Sequence, residues 1–113
     1  MSDNMKRAAY LIWEVIEHDN ALAVWRCAEC MSVMLERIGV HSSFELERVV
    51  KRGIYHQEYI EFVRKIAYLL YLHTGNDDLK NWYGAEKLIQ NAEWRAVMSE
   101  LACECRKRKF NLD

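Results

Sequence analysis

The chain has 113 residues, 51% of them hydrophobic, and charges of both signs leave a formal net charge of −1. This length and composition predict one globular domain and exclude a disordered chain. The near-zero charge argues against a protein that binds nucleic acid by neutralising many phosphates. No apolar run reaches the roughly 20 residues that span a bilayer, and acidic residues near the start lead us to expect no signal peptide there. A bacterial-type cytosol is therefore expected, where the four cysteines would be thiols.

Helical periodicity dominates the chain, which contains no proline and only four glycines. Apolar residues recur at three- and four-residue spacing, and turn or capping residues separate the periodic segments. The predicted helices span residues 4–18, 21–38, 43–52, 56–73 and 78–109. The last segment is long for a small domain, and Asn91 is the expected place for a bend. The pattern predicts an all-α, compact bundle of five helices, or six if the last segment divides.

The most apolar stretch is YIEFVRKIAYLLYLH, residues 59–73. Every residue from Ile66 to Leu72 is apolar or aromatic. A helix that is hydrophobic nearly all round is typical of the centre of a bundle. We therefore expect this helix to be covered by its neighbours on all sides.

Two pairs of segments suggest an internal repeat. KRAAYLIW (6–13) aligns with RKIAYLLY (64–71), and LAVWRCAE (22–29) aligns with LKNWYGAE (79–86). The register slips by one residue in the turn, where an insertion is tolerated. The alignment predicts a single domain over 1–113 with one helical hairpin at 4–38, a short connecting helix at 43–52 and a second hairpin at 56–109. The alternative is chance similarity between helical sequences.

The repeated pattern is Ala-Tyr-x-x-Trp, a short turn and then Trp-x-x-Ala-Glu, with tyrosine replacing the first tryptophan in the second copy. It resembles a short bacterial helical-hairpin domain of unknown function. The resemblance implies the hairpin, in two diverged copies, and no activity. Turns in that family tend to carry glycine and proline, whereas this chain has only Gly75 there. The acid of each copy, Glu29 or Glu86, would accept a hydrogen bond from a tyrosine (Tyr10 or Tyr68) or else be solvated.

Two cysteine pairs, Cys27-Ala-Glu-Cys30 and Cys103-Glu-Cys105, form the sharpest chemical pattern. Four thiolates at short spacing are typical of zinc or iron sites. However, the first pair lies inside a predicted helix, and helical residues two apart point in different directions. The first pair is also nearly two turns from a helix N-terminus, which is unfavourable for a redox motif. Ordinary thiols are the main expectation, with a cysteine-bound metal module as an alternative.

A basic run, Arg106, Lys107, Arg108 and Lys109, ends the last predicted helix. Such a run suggests a second alternative, a nucleic-acid-binding regulator. The simpler interpretation is that these cations complement the negative end of the helix dipole.

The sequence contains no assembled nucleophile and base and no phosphate-binding loop, so we expect a non-enzymatic adaptor or regulator without a cofactor. Aromatic residues exceed what a core of this size needs, and such residues are enriched in protein interfaces. We therefore expect a protein partner or a homodimer, with no membrane role. The interface candidates are Trp13, Trp25, Tyr55, Tyr59, Tyr71, Trp82, Tyr83 and Trp94.

Overall fold

The fold consists of six helices, and no strand occurs in the part of the chain that is described. The computed structural model describes residues 3–111, with side chains described as far as Lys107. The predicted boundaries hold to within two residues for every helix described. The helices are α1 (Asp3–Ile16), α2 (Ala21–Arg37), α3 (Ser43–Arg52), α4 (Gln57–Thr74), α5 (Asp78–Gln90) and α6 (Ala92–Asn111).

Asn91 divides the long C-terminal segment into two helices, as the sequence suggested. Its backbone is extended, with φ −85° and ψ 116°. Its side-chain oxygen accepts from the backbone N–H groups of Glu93 at 2.8 Å and Trp94 at 3.2 Å. Asparagine is a favoured N-cap because this acceptor satisfies first-turn amides that have no partner within the helix. The cap thus ends α5 and starts α6 in a new direction.

The Asn91→Ala variant is expected to lower the free energy of unfolding by about 1 kcal/mol, because two first-turn amides of α6 lose their acceptor. The Asn91→Asp variant keeps a side-chain oxygen in place and is expected to stay close to wild type. Urea denaturation followed by circular dichroism measures both. Equal stability of the alanine and aspartate variants would show that the cap does not hold α6.

Four helices form a ring. Helix α1 packs against α2, α2 against α4, α4 against α5, and α5 against α1. Within the described residues α1 does not contact α4 and α2 does not contact α5, so these pairs occupy opposite corners. Helix α6 covers α1 and α2, and α3 packs against α4, α5 and α6. The radius of gyration is 13.3 Å, the value expected for a single domain of this length.

One contiguous core fills the ring, and all six helices contribute apolar side chains to it. Helix α5 approaches its neighbours closely at Gly84, where an added Cβ would contact Ile16 and Leu70 at 3.4 Å. The largest fully buried side chains are Trp94, Tyr59, Ile12, Ile16, Met31, Leu35, Leu46, Ile66, Leu70, Leu88, Ile89 and Met98.

The expectation that residues 66–72 are shielded on all sides is wrong. Ile66 and Leu70 are fully buried, but Tyr68 is 59% exposed, Tyr71 50% and Leu72 53%. The physical reason is the position of α4 at a corner of the ring. Its neighbours α2, α3 and α5 cover its inner side, and no other helix in the described chain packs on its outer side.

The turn between α4 and α5 fixes these two helices as an antiparallel hairpin. Gly75 adopts the left-handed conformation, with φ 68°, and its N–H donates to the carbonyl of Tyr71 at 2.9 Å. Such a conformation favours glycine, which has no Cβ to clash. Asp77 then caps α5 by accepting from the N–H of Lys80 at 2.8 Å. Among the helices described, none combines sufficient length with enough apolar residues to span a lipid bilayer.

Candidate functional site

The outer side of the α4–α5 hairpin exposes a group of large apolar side chains, which we call the second-hairpin face. Each of its members on the surface is at least half exposed, and Trp82 between them is half-buried. A surface tyrosine or leucine on its own needs no explanation, but several such residues on two adjacent helices suggest an interaction surface. The face consists of Tyr68, Tyr71 and Leu72 on α4, and Leu79, Trp82 and Tyr83 on α5.

A groove of about 460 Å³ runs along this face between α4 and α5. Ala67 forms part of its lining, and its methyl group leaves space that a larger residue would fill. Aromatic residues line much of the remaining wall. The residues lining the groove are Arg64, Ala67, Tyr68, Tyr71, Asp78, Asn81 and Trp82.

Three polar residues give the groove its chemical character. Arg64 and Asp78 line it with opposite charges, and neither forms an ion pair within the described chain. Asn81 is buried, and its amide N–H donates to the carbonyl of Asn76 at 2.8 Å. The side-chain oxygen of Asn81 has no hydrogen-bond partner among the described residues. The groove therefore combines an apolar centre with one cation and one anion that are not paired to each other.

The first hairpin has a comparable surface on α1 and α2. Tyr10, Trp13 and Leu22 are about half exposed, and Trp25 is half-buried. The rings of Tyr10 and Trp13 have centroids 6.1 Å apart. The Arg7 guanidinium lies 5.8 Å from the Tyr10 ring centroid, a cation–π arrangement. Tyr10 and Trp13 thus have partners within the chain.

Aligned positions of the two hairpins have similar exposure. Tyr10 and Tyr68 are both exposed, as are Leu22 and Leu79. The paired residues Trp25 and Trp82 are both half-buried, and the paired residues Ala28 and Ala85 are both fully buried. Core packing explains identical alanines, but it does not explain identical tyrosines and leucines that face water.

Two of the aromatic interface candidates are core residues. Trp94 is fully buried in the cluster, and Tyr59 is 1% exposed. The Tyr59 hydroxyl donates to the Glu86 carboxylate at 3.4 Å and accepts from the Gln90 amide at 3.0 Å. Burial is the main cause that raises the pKa of Tyr59. The partner of Glu86 is therefore Tyr59 rather than Tyr68.

The other candidates lie at least partly on the surface. Trp13, Tyr71 and Tyr83 are about half exposed, and Tyr55, at the α3–α4 connection, is 90% exposed. Trp25 and Trp82 are half-buried. Glu29, the acid of the first hairpin, is exposed, in agreement with the solvated alternative.

The sequence did not single out Tyr68, Leu72, Leu79, Arg64 or Asp78 as site residues. A signal for two of them was present, because Tyr68 and Leu79 are identical to their aligned residues in the first hairpin. The exposed position of Tyr68 also follows from spacing. Tyr68 is nine residues after the buried Tyr59, which places the two side chains on opposite sides of α4.

The four cysteines are thiols, and the structure places them at separate contacts. Cys27 is buried in the core, where burial raises the pKa of its thiol to about 12, and its Sγ donates to the carbonyl of Leu69 at 3.6 Å. Such a thiol is a poor nucleophile and metal ligand, because the thiolate is the reactive form. Cys103 donates to the carbonyl of His41 at 3.2 Å, and Cys105 lies 3.5 Å from the hydroxyl of Ser32.

In the described part of the chain, no three histidine, cysteine or acidic side chains lie together in a way that would hold a metal ion. Cys30 is half-buried beside a different groove, between α2 and α4. The metal module stays a prediction, and elemental analysis of the purified protein tests it.

The basic run contributes one structural contact. The guanidinium of Arg106 donates to the carbonyl of Val40 at 2.9 Å, and so it ties α6 to the loop after α2. Lys107 is exposed. The side chains of Arg108 and Lys109 lie outside the described residues, so the nucleic-acid alternative stays a prediction.

Comparison with known proteins gives no relative: no family model, curated protein or solved structure matches the chain.

Proposed function

We propose that the protein is a small non-enzymatic interaction protein, an adaptor or regulator, that binds a protein partner through the second-hairpin face. The observation behind this proposal is the exposure of Tyr68, Tyr71 and Leu72 in the most apolar helix of the chain. Keeping these side chains in water is unfavourable for an isolated chain, at about 25 cal/mol per Å² of apolar surface. A partner that covers them recovers this free energy.

The composition of the face supports a protein partner. Tyrosine, tryptophan and arginine are enriched among residues that dominate binding energy, and Tyr68, Tyr71, Trp82 and Arg64 line one groove. Such a surface gives large contact area from side chains with few rotatable bonds. We place the protein in the cytoplasm, with no cofactor.

An internal repeat is part of this proposal. Tyr10 of the first hairpin aligns with Tyr68 of the second, and Leu22 aligns with Leu79. The two residues of each pair are identical, and both are exposed. A duplicated hairpin that kept these surface residues in both copies would have kept a surface as well as a core. The second hairpin is the better binding surface, because its groove residues Arg64 and Asp78 have no ionic partner in the described chain.

The test is affinity capture from the native host with the wild-type chain and with a Tyr68→Ser, Tyr71→Ser variant, followed by quantitative mass spectrometry. We expect proteins bound by the wild type, including untagged copies of the same chain, to be lost by the variant. A Tyr55→Ser variant is the matched control, since Tyr55 is the most exposed tyrosine and lies outside the face. Equal recovery with the wild type and both variants would contradict the proposal.

A further inference from the structure

We propose that the occupant of the groove is a second copy of this chain, bound in an antiparallel arrangement with two-fold symmetry. This inference rests on the proposed function and specifies its partner. It depends on where the charges and the aromatic rings lie along the groove.

The two charged residues of the groove lie at its opposite ends. Asp78 is the first residue of α5, beside the Gly75 turn, and it is therefore level with the end of α4 at Thr74. Arg64 precedes Thr74 by ten residues, which corresponds to about 15 Å along the helix. The groove is positive at the Arg64 end and negative at the Asp78 end.

The aromatic residues lie between these charges. Tyr68 and Tyr71 follow Arg64 by one and two helical turns, and they are both half exposed. Trp82 is one turn into α5 and so is level with about residue 70 of the antiparallel α4. The centre of the groove is therefore aromatic, and the midpoint between the charges falls between Tyr68 and Tyr71.

This order of charges makes the groove complementary to itself. A two-fold axis through its centre turns a second copy end for end, which brings Arg64 of each copy to Asp78 of the other. In such an isologous contact the same patch serves both partners, and each favourable pair occurs twice. The two aromatic centres meet at the axis, where tyrosine and tryptophan rings pack in offset or edge-to-face pairs. A parallel arrangement would instead place like charges together.

The size of the face indicates how strong this contact is. Its three half-exposed tyrosines and two leucines offer on the order of 500 Å² of surface. A stable interface of standard size uses about 800 Å² per partner. Residues at the rim of the groove have to supply the remaining interface area. We therefore expect a reversible dimer, not an obligate one, with a dissociation constant in the micromolar range.

The test uses charge reversal at both ends of the groove, with analytical ultracentrifugation from about 1 µM to about 1 mM. Arg64→Asp and Asp78→Arg each convert two attractive pairs into two repulsive pairs. We expect either variant alone to dimerise about 10- to 30-fold more weakly than the wild type. An equimolar mixture of the two variants restores both opposite-charge pairs across the interface. We expect this mixture to form a heterodimer within about threefold of wild-type affinity.

Two controls separate this result from trivial effects. Arg48→Asp makes the same charge change on an exposed residue of α3 outside the face and is expected to leave dimerisation unchanged. Arg64 is exposed, so its variant is expected to retain the wild-type circular dichroism spectrum and melting temperature. If a variant fails to fold, its mixture cannot be rescued, and the Tyr68→Ser, Tyr71→Ser variant then provides the measurement of dimerisation.

Three outcomes overturn the inference: a wild-type chain that is monomeric up to about 1 mM, a dimer that both charge reversals leave intact, or two weakened variants whose mixture remains monomeric. Failure of the inference is distinguishable from failure of the proposed function. Suppose that the wild-type chain is monomeric and captures a different protein. If the Tyr68→Ser, Tyr71→Ser variant does not capture that protein, the face binds another partner. If that variant also captures the same proteins as the wild type, the proposed function fails as well.

Discussion

The Trp94→Ala variant is expected to lose about 3–5 kcal/mol of unfolding free energy, the usual cost of removing a large aromatic side chain from a core. Trp94 is fully buried in the first helical turn of α6 and is among the largest side chains in the core. Its removal leaves a cavity where α6 joins the ring. Domains of this size are stable by only about 5–15 kcal/mol, so this loss is a large fraction of the total unfolding free energy.

The Trp94→Phe variant provides a sharper control. The indole N–H of Trp94 is buried and has no acceptor among the described residues. Phenylalanine removes this unsatisfied donor while keeping most of the apolar volume, so the cost is expected to stay below about 2 kcal/mol. Trp13→Ala changes the same residue type on the surface and is expected to cost less than about 1 kcal/mol. Urea denaturation ranks the three variants by their free energy of unfolding. A loss for Trp94→Ala as small as the loss for Trp13→Ala would contradict the core placement of Trp94.

The second large effect concerns binding. The Tyr68→Ser, Tyr71→Ser variant is expected to weaken self-association by about 100-fold or more. Interface residues that dominate binding contribute about 2 kcal/mol or more each, and each 1.4 kcal/mol changes the dissociation constant tenfold. Both side chains are half exposed in the single chain, so folding stability is expected to change by less than about 1 kcal/mol. Sedimentation equilibrium measures the dissociation constant of the dimer, and urea denaturation of the same samples measures the free energy of unfolding.

A matched control is the Tyr10→Ser, Trp13→Ser variant, which makes the corresponding change on the first hairpin. It is expected to leave self-association unchanged, because the groove with opposite charges at its ends belongs to the second hairpin. If this control abolished dimerisation while the Tyr68→Ser, Tyr71→Ser variant did not, the first hairpin would be the interface.

Helix positions were predictable from the sequence because local chemistry determines them. Asn20 accepts from the N–H groups of Leu22 and Ala23 at the start of α2, and Asp77 and Asn91 cap α5 and α6 in the same way. These are short-range hydrogen bonds, and the residue types that form them can be recognised in any sequence. The all-α fold followed from them, whereas the choice between five and six helices stayed open until the structure showed Asn91 dividing the last segment.

The exposure of α4 was not predictable in this way. A run of seven apolar residues from Ile66 to Leu72 indicates a buried helix by composition alone. Whether the outer side is covered depends on which helices pack beside it, and the sequence does not show that α4 lies at a corner of the ring. The same limitation explains why Tyr59 and Trp94 were grouped with surface aromatics. The predicted repeat offered one signal, since a core does not require the identity of Tyr10 and Tyr68.

The second-hairpin face is exposed in the single chain, and we propose that a partner copy covers it. Hydroxyl-radical footprinting with mass spectrometry, across a dilution series of the wild-type protein, tests this claim directly. We predict that oxidation of Tyr68, Tyr71 and Trp82 increases as the dimer dissociates, while oxidation of Tyr55 and Trp13 stays constant. Oxidation of Tyr68 and Tyr71 that is independent of concentration, in samples shown to change from dimer to monomer, would contradict it.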